Sequence, residues 1–284
     1  MKHPGIPILL AVLALVLLLS GWQPVAASPA LPVTPKIMPF GDSITSSVGD
    51  GKCSLNGGPV LSAQASYRYW LYNDLHNALI PFEFIGTQTT NWCGQPLHAG
   101  QFDQHNEGHS GYQAADFLNP GDQYYIDKLL NANSNGNVPD IVLMHLGTVD
   151  LSKGRTKPEI IADLGSLIDH FRAKNPKVIV LVAQIIPCAT TTYYKTPQDR
   201  SFCSKIPDLN SAIPALVAQK NSPISPVDVV DQYDGFDATQ GVDTYDGLHP
   251  QASGEKKMAA KWLAAIQKWY LYKPHREFLP FLTK

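Results

Sequence analysis

The chain is predicted to be an α/β protein, with a parallel sheet covered by helices on both faces. Two observations predict it. Short apolar, β-rich runs bounded by turn residues alternate along the chain with longer stretches of helical spacing. The polar peptides that could carry chemistry follow these runs, at the carboxyl ends of strands, where open parallel sheets place their ligands.

The strands are expected at residues 36–40, 83–87, 140–147, 177–187 and 227–232. They are short, rich in β-branched residues and separated by longer helical patterns. Between them, helices are expected at 67–79, about 122–131, 158–175, 207–220 and 253–269. The last begins at Ser253-Gly254-Glu255-Lys256, and Ala259, Leu263 and Ile266 then recur at spacings of three and four on one face. Residues 46–66 and 189–206 are long, polar and irregular, the kind of loop that carries function or is pinned by a staple.

Ahead of the first strand, Lys2 and His3 precede an uncharged run from Ile6 to Leu19, and Val25-Ala26-Ala27 follows. This pattern is expected to be a secretory signal peptide over residues 1–27, cleaved after Ala27. The run is shorter than the roughly 20 residues of a spanning helix, although an uncleaved anchor is the alternative. A short linker, 28–35, then leads to one catalytic domain at 36–270 and a tail at 271–284. The formal net charge of −2 and the scatter of Lys and Arg argue against a nucleic-acid partner. No stable membrane partner is expected once the signal is removed, and a monomer is expected.

Export makes disulfides the default state of the four cysteines, Cys53, Cys93, Cys188 and Cys203. Three pairings are open to them, and sequence does not choose. Pairing Cys53 with Cys93 and Cys188 with Cys203 is favoured, since each bond would staple one irregular stretch. No Cys-x-x-Cys spacing supports zinc. Asp231, Asp234, Asp237 and Asp243 match no calcium loop and read as a solvated acidic loop. Neither metal nor cofactor is expected.

Gly41-Asp42-Ser43-Ile44-Thr45 follows the first strand, and Asp246-Gly247-Leu248-His249-Pro250 stands near the C-terminus. Either peptide alone is ordinary turn chemistry. Together, in that order and at opposite ends of one domain, they offer a nucleophile, an orienting carboxylate and a base. The strained Gly-x-Ser-x-Gly elbow is absent: Gly108-His109-Ser110-Gly111-Tyr112 lacks the last glycine, so Ser110 is not read as the nucleophile.

With Glu107-Gly108-His109-Ser110-Gly111-Tyr112 and Leu146-Gly147-Thr148-Val149-Asp150 between them, these blocks resemble the SGNH (GDSL-type) hydrolases, over roughly residues 36–269. The resemblance implies a flavodoxin-like, three-layer α/β/α sandwich with a five-stranded parallel sheet. The wording Ile37-Met38-Pro39-Phe40-Gly41-Asp42-Ser43-Ile44-Thr45, Asn106-Glu107-Gly108-His109-Ser110-Gly111-Tyr112 and Val182-Ala183-Gln184-Ile185-Ile186-Pro187 is most similar to the secreted acetylxylan esterases of carbohydrate esterase family three. That likeness implies an acetyl or other short acyl ester on a polysaccharide such as xylan, or a small ester, as substrate.

Carried over by position, the resemblance makes Ser43 the nucleophile, His249 the base and Asp246 its orienting acid. It assigns two oxyanion donors to the backbone N–H groups of Ser43 and Gly111. The third donor departs from the pattern: where the family has asparagine in Gly-Thr-Asn-Asp, this chain has Val149, which has none. One side-chain donor of this kind is typically worth ~10²–10³ in rate, so an attenuated esterase is the expectation. A lipase, lysophospholipase or thioesterase of the same superfamily is the alternative, as is a binding protein on a retired hydrolase fold.

Asp42 is expected to cap or brace the serine turn, and is also a candidate substrate contact. Tyr112, Trp92 and Tyr67 are candidate stacking surfaces for a sugar ring. His145, at a strand end, reads as a buried, hydrogen-bonded histidine, and His105 and His109 could line the cleft.

Overall fold

The computed structural model describes residues 34–47, 64–91, 94–131, 138–191 and 199–271. The expected signal peptide, most of the linker, the loop with Cys53, the pair Trp92 and Cys93, and the tail after Leu271 lie outside the described residues. No helix among the described residues is long and apolar enough to cross a membrane.

Strand β1 (Lys36–Gly41) runs into a single-turn helix α1 (Ser43–Ser46), followed by α2 (Tyr67–Asn77), β2 (Glu83–Phe84) and β3 (Glu107–Gly108). Next come α3 (Ile126–Asn131), β4 (Ile141–His145), α4 (Thr148–Ser152), α5 (Lys157–Lys174) and β5 (Ile179–Gln184). The chain closes with α6 (Ile206–Lys220), β6 (Val227–Asp231) and α7 (Ala252–Leu271). Short 3-10 turns occupy Asp116–Leu118 and Ser201–Lys205.

All strand pairs are parallel, in the order β2-β1-β4-β5-β6, with β3 also paired to β1. Because β4 covers one side of β1 from Ile37 to Gly41, β2 and β3 share the other side. β2 pairs with its start, at Lys36 and Ile37, and β3 with its end, at Phe40 and Gly41. Five strand positions are thus filled as expected, the edge position by two pieces. The strand expected at 83–87 stops at Phe84, and the helix expected from about 122 starts at Ile126. Thr87 leaves the ladder because its N–H and hydroxyl donate to the carboxylate of Glu107, a side chain 20 residues away.

Successive strand residues point to opposite faces, and both faces are apolar, as a doubly covered parallel sheet requires. Met38, Phe40, Val142, Met144, Val180 and Val182 pack under α3, α5 and α6. Ile37, Ile141, Leu143, Ile179 and Leu181 pack under α2 and α7, where Trp262 is fully buried. Strand order reverses between β1 and β4, and the crevice at their carboxyl ends is the usual ligand position of such sheets.

Candidate functional site

β1 delivers Ser43 to that crevice through a tight local arrangement. Asp42 caps α1, its Oδ1 accepting the N–H of Ile44 at 2.9 Å, so the serine turn is braced as expected. α1 lies directly on β3: a Cβ added at Gly108 would sit 2.4 Å from the backbone nitrogen of Ser46. Only glycine permits this approach, which brings the 107–112 loop beside Ser43.

Far along the chain, the turn after β6 brings the other two groups. Ser43 Oγ lies 3.0 Å from His249 Nε2, and His249 Nδ1 lies 2.8 Å from Asp246 Oδ2. Asp246 is fully buried, and its Oδ1 also accepts the N–H groups of Leu248 and His249, at 3.0 and 2.7 Å. An ionised carboxylate only accepts, so the Nδ1–H tautomer of His249 is selected and the Nε2 lone pair faces the serine hydroxyl. The ring of Tyr245 stacks on His249 at 5.8 Å. Gly247, at φ +83, allows the turn to press on the 188–191 segment: its carbonyl accepts the N–H of Ala189 at 2.8 Å. That segment begins at Cys188, which is bonded to Cys203 as favoured.

Gly111 sits at the exposed tip of the 107–112 loop, with φ +81. Val149, half-buried on α4, has no side-chain donor, and its carbonyl accepts from Ser152 Oγ at 2.7 Å. One residue on, Asp150 is fully buried and both its oxygens accept the N–H of Ala114, at 3.1 and 3.2 Å. Asp150 thereby ties the third block to the loop that carries Gly111.

A cavity of about 240 Å³ opens beside α1. Its walls include Gln88, Thr90, Asn91, Ser110, Tyr112 and Tyr124. Tyr112 therefore lies where a sugar ring could meet it, with its hydroxyl donating to Asp122 at 3.1 Å. His109 also reaches this wall but is buried, bonded to Glu107 at 2.8 Å and packed on Tyr124. Tyr67 is not available for stacking on a ligand: it is buried against Trp262 in the core. His105 is half exposed and paired with Asp103.

Buried charge surrounds the serine turn. Burial raises Asp42 to about 7, against the Ile44 N–H and the nearby His249. Burial likewise raises Asp150 to about 6 and Glu255 to about 7, and lowers His145 to about 4. His145 is thus held neutral, its Nε2 accepting the N–H of Ile186 at 3.3 Å. Arg68, wholly buried, donates to the carbonyls of Thr45 and Ser46 at the end of α1, both at 3.1 Å, and to Asn91 Oδ1 at 2.6 Å. Glu255, from the first turn of α7, accepts from Ser66 N–H at 2.7 Å and Trp70 Nε1 at 3.1 Å. Sequence reasoning missed Asp150, Arg68 and Glu255 as supports; the signals were the place of Asp150 in the third block and of Glu255 in the first turn of an expected helix.

At the end of β6 and beyond it, acidic side chains brace turns. Asp231 Oδ1 accepts from the N–H groups of Tyr233 and Asp234, and Asp243 pairs with Lys257. Among the described residues no group of three His, Cys, Asp or Glu side chains could hold a metal ion.

The GDSL-like lipase/acylhydrolase family pattern matches residues 40–257. A multidomain esterase of Ruminococcus flavefaciens is 27% identical over 246 residues; the match covers 82% of this chain and 28% of that protein. This chain thus spans less than a third of that relative's length. Among solved structures, a carbohydrate esterase family 3 protein from Talaromyces cellulolyticus superimposes with a TM-score of 0.62 at 27% identity, covering 84% of this chain and 99% of that one. A family 3 carbohydrate esterase from Clostridium thermocellum gives 0.61 at 29% identity, covering 84% and 98%. With the motif blocks, the parallel sheet and the matched span in agreement, the chain belongs to the GDSL-like lipase/acylhydrolase family.

Proposed function

We propose that the protein is a secreted serine esterase that removes short acyl groups, acetyl above all, from a carbohydrate such as xylan. The observation that carries this reading is the hydrogen-bonded line from Ser43 Oγ through His249 to Asp246. His249 Nε2 takes the hydroxyl proton as Ser43 Oγ attacks the ester carbonyl, and buried Asp246 stabilises the imidazolium that forms. The oxyanion is met by the N–H groups of Ser43 and Gly111. On collapse, His249 returns the proton to the leaving sugar oxygen, and the acyl group stays on Ser43. Water then attacks the acyl-enzyme, giving its proton to His249, and the acid leaves with Ser43 restored.

Support for a carbohydrate comes from the cavity beside α1, whose amides, hydroxyls and two tyrosine rings suit a sugar better than an alkyl chain. The similarity to family 3 carbohydrate esterases points the same way. The Cys188–Cys203 bond and the expected signal peptide support export. The decisive assay is acetate release from acetylated xylan, with a series of p-nitrophenyl esters of increasing acyl length beside it. Acetate release, and rates falling with chain length, are expected; preference for long acyl chains would replace this reading with the lipase alternative.

A further inference from the structure

We propose that Arg200 is a positioning residue for the catalytic base, setting through Asp246 the pH at which His249 loses its proton. The proposal rests on His249 acting as that base. Arg200 precedes the 3-10 turn Ser201–Lys205, which carries Cys203, so the Cys188–Cys203 bond anchors it to the segment packed under the Asp246–His249 turn. Its side chain is 6% exposed, and Nη2 lies 3.7 Å from Asp246 Oδ2, the oxygen that also meets His249 Nδ1. At that distance the contact is between charges rather than a hydrogen bond. Nη1 is buried without a hydrogen-bond partner. A guanidinium so poorly solvated is costly to keep, and the group it faces is the triad carboxylate.

The consequence follows from the charges around the imidazole. Asp246 and the stacked Tyr245 face His249 from its own turn, Asp42 from the cap of α1, and Arg200 reaches Asp246 from the disulfide-linked segment. Both carboxylates favour the imidazolium when ionised, while Arg200 partly cancels the field of Asp246. Arg200 therefore keeps His249 less basic, and the enzyme retains its free base at lower pH. Without the guanidinium, the imidazolium is better stabilised and the base is lost at higher pH.

The test compares Arg200→Met and Arg200→Lys with the unchanged protein, following kcat/KM on p-nitrophenyl acetate from about pH 4.5 to about pH 9. The acidic limb is expected to move up by about half a unit or more in R200M and to return most of the way in R200K, with the plateau rate nearly kept. An unmoved limb, or equal loss of plateau rate in both variants, would overturn the proposal in favour of a packing role. A second measurement needs no turnover: the NMR titration of His249 in a Ser43→Ala background, with and without Arg200→Met. An upward shift on losing Arg200 supports the proposal even if no ester is hydrolysed, in which case the esterase reading alone fails. A coincident titration in the two proteins overturns it.

Discussion

The half of the site around His249 is tied by side chains from several directions, whereas the half facing it across Ser43 depends on backbone and on supports set further back. Asp246 accepts from the imidazole and two backbone N–H groups, Tyr245 stacks on the ring, and the whole turn is pressed on a disulfide-linked segment. On the opposite side, Gly111 stands at an exposed tip and Val149 brings no donor. On the proposed esterase reading, the contrast separates proton transfer from charge stabilisation: one side holds a hydrogen-bonded line, and the other has no side-chain donor at Val149.

The strongest way to break the comparison is at its hinge. Ser43→Ala is expected to lower kcat on p-nitrophenyl acetate by on the order of 10⁴-fold or more, and unchanged turnover would end the serine mechanism. Asp246→Asn tests the base side next. It deprives His249 of its tautomer-selecting acceptor and should cost on the order of 10³–10⁴ in kcat with little change in KM, as read by steady-state kinetics.

Val149→Asn probes the poorer side in the direction of gain. It is expected to raise kcat by up to ~10²–10³-fold, the contribution of one oxyanion donor. No gain in a folded variant would show that another donor already fills that place. Asp150→Asn should act more gently, since the carboxylate touches Ala114 rather than the reacting atoms. A fall in kcat of about tenfold or less is expected, because one oxyanion donor is loosened and not removed.

The smallest effect concerns stability. Glu255 and Asp42 are raised by burial to about 7 in the folded chain, against about 4 when unfolded. Between those values the folded state holds protons that the unfolded state has lost, so stability falls as pH rises through that range. His145, lowered to about 4, works oppositely only below about pH 6.5. Melting temperature should therefore decrease from about pH 5 to about pH 7, because His145 offsets only one of the two carboxylates, and Glu255→Gln should flatten that slope. An unchanged slope would mean that Glu255 remains ionised against Arg68.

Ser43, Asp246 and His249 were legible because two short peptides, each ordinary turn chemistry alone, together offer a nucleophile, an acid and a base in order, and the fold brings the three within hydrogen-bond distance. Their supports were not. Asp150 meets a backbone N–H 36 residues away, and Glu255 one 189 residues away. No local pattern marks a carboxylate for burial, since the desolvation that shifts it comes from elements brought in by the fold. The interrupted edge of the sheet was hidden for a similar reason. Glu107-Gly108 has no strand character of its own; it pairs with β1 where Gly108 lets α1 lie directly on it.

By itself, then, the amino-acid order determined the layered α/β architecture, through apolar runs of strand length between helical spacings, and the three groups of the serine–histidine–aspartate line. Tertiary structure alone decided what surrounds that line: the Arg200 charge beside Asp246, the Asp150 tie behind Gly111 and the buried Arg68 and Glu255 under the serine turn. Local propensity acts over a few residues, whereas burial and charge pairing depend on which distant segments the fold packs together.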